Sequence, residues 1–148
     1  MWRAYWREQT TLAIEFAFLE TIAGRSALNP DAAPPTTLAE AVREHLILLF
    51  NTRQGSVRQL PDYGLPDLSE YYKGFPDSLE PLGRAIKDTV ARYEPRLADV
   101  KVYLSSTAAN HFEATFTIEG TLESLDEPET VIKFQTVVSG TGRTQVAM

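Results

Sequence analysis

Across Tyr93-Glu94-Pro95-Arg96-Leu97 the hydrophobic period of the chain changes from helical to strand-like. Upstream, Leu79, Leu82, Ile86, Val90 and Tyr93 recur at i, i+3, i+7, i+11 and i+14, the mark of an amphipathic helix. Downstream, apolar residues alternate with polar ones. A proline lacks the N–H a helix needs and disfavours α geometry in the residue before it, so the helix is predicted to stop at Tyr93. Along the extended segment residues i and i+2 share a side, which presents Glu94 and Arg96 as a neighbouring carboxylate and guanidinium. Two readings follow. One is an exposed ion pair at a helix stop, worth under ~1 kcal/mol. The other is a recognition unit on a stiff junction.

The segment ahead of this junction is helical with breaks. Residues 2–23 carry Trp2, Tyr5, Trp6, Leu12, Ile14, Phe16, Phe18, Leu19 and Ile22 in a helical pattern. Trp2 and Trp6 either pack on the protein's own core or anchor a partner, a use for which tryptophan and tyrosine are favoured. Gly24 to Pro35 reads as a linker, which divides the chain into an extension over residues 1–35 and a domain over residues 36–148. Thr37-Leu38-Ala39-Glu40 reads as a capping box opening a helix with Leu38, Val42, His45, Leu46, Leu49 and Phe50 on one side. His45 on that stripe reads as a satisfied core residue and not as a ligand. Val57 to Leu60 reads as a short strand. Residues 61–68 read as a tight loop anchored by Tyr63 and Leu65, residues 67–74 as short helical turns, and Ser78 as the N-cap of the amphipathic helix.

Beyond the junction, Val100, Val102 and Leu104 alternate with Lys101, Tyr103 and Ser105. After a turn near Ala108–His111, Phe112, Ala114, Phe116 and Ile118 do the same. Leu122 to Glu129 reads as an acidic loop. Val131 to Val138 reads as a third strand with Ile132, Phe134 and Val138 inward, Ser139–Gly142 as a hairpin turn, and Arg143 to Met148 as a fourth strand. Helices followed by a meander predict a single-domain α+β fold, with N-terminal helices on one face of an antiparallel sheet of about four strands. Such a sheet has open edges that must be covered or used for pairing.

Charge narrows the function. The net charge is −6 with a pI of about 4.9, which argues against nucleic acid as a partner. Residues 97–148 hold 3 basic and 7 acidic side chains, so most of the imbalance lies in the strand-rich half. With no cysteine, disulfides, thiolate metal sites and a cysteine nucleophile are excluded. No apolar run approaches the ~18 residues of a membrane span, and the first residues lack the pattern of a signal peptide, so a cytoplasmic protein is expected. The sequence shows no glycine-rich phosphate loop, metal-spaced histidine pair or nucleophile elbow; no cofactor, metal or small-molecule substrate is expected. Ser105, Ser106 and His111 lie close in sequence, but no acid is placed to orient the histidine. A glycosidase would need one carboxyl kept protonated near neutral pH. Arg96 two residues from Glu94 favours the ionised form instead, so no catalytic residue is assigned.

Leu49-Phe50-Asn51-Thr52-Arg53-Gln54-Gly55-Ser56, Pro61-Asp62-Tyr63-Gly64-Leu65-Pro66-Asp67 and Glu94-Pro95-Arg96 ahead of a hairpin together resemble TssE. That family is the type VI secretion baseplate component related to the small wedge protein of contractile phage tails, long labelled lysozyme-like. The resemblance covers about residues 36–140; the aromatic N-terminus matches no family motif. It implies a structural, non-enzymatic role: a subunit held by the wedge proteins TssF and TssG, on which the TssB/TssC sheath assembles by strand addition. It implies a position in a cytoplasmic complex docked at the inner face of the cytoplasmic membrane, without membrane insertion. The residues it points to are Glu94, Pro95 and Arg96 as the wedge contact, with Arg53 and Tyr63 from the other two motifs; Trp2 and Trp6 are added for their chemistry. Arg96→Ala is expected to leave folding largely intact and weaken wedge binding. A free-standing adaptor or anti-adaptor of the same fold, and a muramidase, are the alternatives.

Overall fold

Thr37 opens the first described helix with the expected capping box: its hydroxyl accepts from the Glu40 N–H and its own N–H donates to the Glu40 carboxylate, both at 3.2 Å. The computed structural model describes residues 37–108, 113–122 and 129–148. The readings made for residues 1–36, for His111 and Phe112, and for residues 123–128 lie outside them. Helix α1, Leu38–Asn51, buries Val42, Leu46, Leu49 and Phe50, a spacing of one helical face. Its last residue ties the two ends of the described chain together. The Asn51 amide donates to the Thr144 carbonyl at 2.9 Å and accepts from the Thr144 N–H at 3.1 Å.

A short helix α2, Leu68–Lys73, follows a loop and is capped by Asp67, whose carboxylate accepts from the Ser69 N–H at 3.0 Å. Helix α3, Leu79–Tyr93, buries Leu79, Leu82, Ile86, Thr89 and Val90 and ends where the proline rule places it. Four strands then form an antiparallel meander: β1, Leu97–Ala108; β2, Glu113–Leu122; β3, Thr130–Val138; and β4, Thr144–Ala147, in spatial order β1-β2-β3-β4. Both α1 and α3 contribute to one core with the sheet, α3 against β1 and β2 and α1 against β4. The α+β architecture with one four-stranded sheet is the one read from the sequence.

The core is centred on Phe116 and Phe134, with Leu46, Leu49, Leu65, Leu82, Ile86 and Ile118 around them, all essentially inaccessible. Strand β2 alternates buried and part-exposed residues along its whole length. One close approach in it uses glycine: a Cβ on Gly120 would lie 2.1 Å from Leu97 Cδ2, so Leu97 packs over Gly120 and would have to shift for a larger residue there.

Several local readings are corrected. Val57 to Leu60 is a turn and not a strand: Leu60 N–H bonds back to the Val57 carbonyl at 3.2 Å. The extended pairing here is a single parallel bridge, Arg53 to Leu65. Ser78 stands at the start of α3 but does not cap it; its backbone is helical and its hydroxyl donates to the Tyr71 carbonyl instead. Leu122 belongs to β2 and not to the loop that follows, and β3 begins one residue earlier than read, at Thr130. Leu104 is not an inner residue. It sits where β1 is exposed from Tyr103 to Ala108, and a register shift between Leu104 and Ser106 breaks the alternation.

Candidate functional site

Proline at position 95 ends α3 and leaves Glu94 at φ −119° and ψ 78°, so its side chain turns inward under the helix end. The expected neighbouring pair with Arg96 forms, but it is not an exposed one. Glu94 has no accessible surface, while the Arg96 side chain keeps 25% of its own. Arg96 grips the carboxylate side-on, Nε to Oε1 at 2.7 Å and Nη2 to Oε2 at 2.6 Å, and its backbone N–H donates to Oε1 at 3.2 Å.

The fourth seat on the carboxylate is taken by α1. His45 Nδ1–H donates to Glu94 Oε2 at 2.8 Å. The other ring nitrogen, Nε2, lies 3.1 Å from the Tyr63 hydroxyl, within hydrogen-bond distance. The Tyr63 ring in turn meets Tyr93 edge-on, with ring centres 5.1 Å apart. Thus the histidine on the apolar stripe is satisfied, as read, by a carboxylate 49 residues away. Nothing in the local pattern around residue 45 pointed to that partner.

Burial alone would raise the Glu94 carboxyl out of the usual range. Hydrogen bonds from Arg96 and His45, with the charge of the guanidinium, outweigh it and hold the group below its ordinary value of 4.5. A carboxylate fixed in its ionised form, with both oxygens doubly occupied, cannot deliver a proton as a general acid. Its four seats are filled from within the fold, and it lies behind Arg96 and not at the surface. This revises the expectation for Arg96→Ala. Removing the guanidinium strands a fully buried charge, which destabilises the fold as well as any interface.

The other motif residues form a second cluster. Leu65 N–H donates to the Thr52 carbonyl and Gln54 N–H to the Leu65 carbonyl, both at 2.9 Å, so the Asn-Thr-Arg-Gln-Gly-Ser and Asp-Tyr-Gly-Leu-Pro-Asp stretches are two sides of one loop. Gly64 at φ +99° permits it, since a Cβ there would lie 2.1 Å from the Thr52 carbonyl oxygen. Arg53 reaches Asp67 at 2.8 Å, an exposed pair on the rim of a shallow groove of about 290 Å³. Leu65, Tyr72 and the Gly140–Gly142 turn complete the groove. The structure therefore joins Glu94, Arg96 and Tyr63 in one network, keeps Arg53 apart from it, and places Pro95 part-exposed between Glu94 and Arg96. Trp2 and Trp6 lie outside the described residues. Among the described residues, no group of acidic and histidine side chains is placed to hold a metal, and no helix is long and apolar enough to cross a membrane.

Comparison with known proteins agrees with this architecture. The family model of the baseplate wedge protein gp25 matches residues 36–127. A chain in the solved structure described as the baseplate complex from the type VI secretion system is similar over 68% of this chain and 93% of its own length. The identity is 25% and the TM-score 0.55. No curated protein matches the sequence. The match to the family model covers well over half of the chain, the three sequence motifs fall within it, and the chain belongs to the baseplate wedge protein gp25 family.

Proposed function

We propose that this protein is a structural component of a type VI secretion baseplate. The observation that carries the reading is the agreement of the family match with the likeness to a chain of a type VI baseplate complex. Its wedge partners are proteins of the TssF and TssG kind, and Arg96 is the contact, braced by Glu94 and flanked by Pro95. Arg53, Trp2 and Trp6 are secondary contacts, Tyr63 supports the junction from within, and residues 36–148 form the baseplate unit. The sheet edge serves as the template for TssB/TssC sheath by strand addition. The complex sits in the cytoplasm against the inner membrane face. An enzymatic role is not part of this reading, because the family is a baseplate family and the one fully buried carboxylate among the described residues is held in the form a glycosidase acid must avoid.

The test is co-purification with TssF and TssG, comparing wild type with the Glu94→Ala/Arg96→Ala double variant. Deleting both charges together avoids stranding either one. Wild type is expected to enter a wedge complex. The double variant, shown to be folded by circular dichroism, is expected to stay out. Binding by neither protein would sink the reading in favour of a free-standing adaptor.

A further inference from the structure

We propose that His45 is a positioning residue for the Arg96 contact, and that the edge of Arg96 it prepares takes a hydrogen-bond acceptor of the wedge partner. The proposal rests on the reading of Arg96 as the partner contact.

Arg96 spends Nε and one Nη2 proton on Glu94, leaving the Nη1 group without a partner among the described residues. The side chain is a quarter exposed, so a directional fork of Nη1 and Nη2 donors remains on the side away from Glu94. The guanidinium's charge is already balanced by the carboxylate it grips. What that fork offers is orientation more than net charge, which suits a carbonyl or carboxylate oxygen held at a fixed place.

Orientation depends on Glu94 staying put, and Arg96 alone cannot ensure it. Both residues hang from the same short segment, two positions apart, so their grip on each other does not fix either one relative to α1. His45 is on a different element, α1, and among the described residues its bond to Oε2 is the one side-chain tie from Glu94 to an element beyond its own segment. Tyr63 holds the far ring nitrogen of His45, and Tyr93 packs against Tyr63, so the imidazole is fixed at both ends. The chain His45–Glu94–Arg96 therefore transmits the rigidity of the helical layer to a side chain at the surface.

Two readouts test this on the full chain. The first is the Arg96 Nε–Hε resonance in a nitrogen–proton correlation spectrum of the protein alone. It should be sharp in wild type, broadened or lost in His45→Ala, and restored in His45→Asn, whose amide nitrogen falls where Nδ1 was. An unchanged resonance in His45→Ala overturns the positioning role whatever the protein binds. The second is affinity for the TssF–TssG complex in a double-variant cycle with Arg96→Lys, which keeps the charge against Glu94 but removes the fork. His45→Ala should weaken binding about tenfold when Arg96 is present and less than twofold in the Arg96→Lys background. Equal loss in both backgrounds would make His45 merely structural and overturn the proposal. Full affinity of Arg96→Lys would remove the fork from the interface and overturn both this proposal and the contact reading; a loss confined to Arg96→Lys, with none in His45→Ala, would overturn only the proposal.

Discussion

Glu94 shows how one residue converts burial into a condition on pH. Its carboxyl is held below the ordinary value of 4.5 in the folded protein. A group depressed in this way contributes stability that is present above its unfolded pKa and is lost as pH falls through the folded one. The sign is fixed: protonation removes the reason for Arg96 and His45 to converge, and the unfolded chain takes up protons first. Wild type is expected to hold its denaturant midpoint from pH 7 to about 5 and to lose stability steadily below about pH 4.5. Glu94→Gln should be less stable at pH 7 and show a flatter curve below pH 4.5, because the titrating group is gone. Denaturation midpoints at several pH values for the two proteins decide it; parallel curves would mean that other carboxylates carry the acid sensitivity.

Elements were legible where one local rule acted alone. The end of α3, the capping box of α1 and the alternation of β2 each follow from a few neighbouring residues, and each stands where the sequence places it. What the sequence concealed was long-range pairing. Val57 to Leu60 has strand-like composition but pairs with no strand among the described residues, and Leu104 alternates correctly on a part of β1 that is left exposed. The site divides the same way: Glu94 and Arg96 are two residues apart and could be read as a pair, whereas His45 joins them only through the fold. Strand β3 carries an inward polar residue that the pattern also leaves unexplained. Thr136 is fully buried and its hydroxyl has no partner among the described residues. Thr136→Val replaces that hydroxyl by a methyl of similar shape and should stabilise the protein by about 1 kcal/mol. Thermal or urea melts check it, and a loss of stability would show that the hydroxyl is satisfied in solution.

At the scale of the molecule, the two ends of the sheet differ. Strand β4 is four residues long and is held by Asn51 of α1. Strand β1 is twelve residues long, lies at the other end of the order, and is exposed from Tyr103 onward, with Tyr103 at 50% and Leu104 at 48%. Residues 103–108, Tyr-Leu-Ser-Ser-Thr-Ala, contain neither charge nor proline, the devices by which edges are usually kept from pairing. If strand addition is how the sheath is started, β1 is the edge with the length and the chemistry for it, while the Arg96 junction lies at its opposite end, before Leu97. The two functions should then separate. Lysines introduced together at Leu104 and Ser106 should leave circular dichroism and co-purification with the wedge subunits unchanged, yet reduce sheath assembly at least severalfold. Glu94→Ala/Arg96→Ala should lose both, since a subunit that never joins the wedge has no place from which to start a sheath. Normal sheath assembly by the lysine variant would exclude β1 as the template and direct attention to β4.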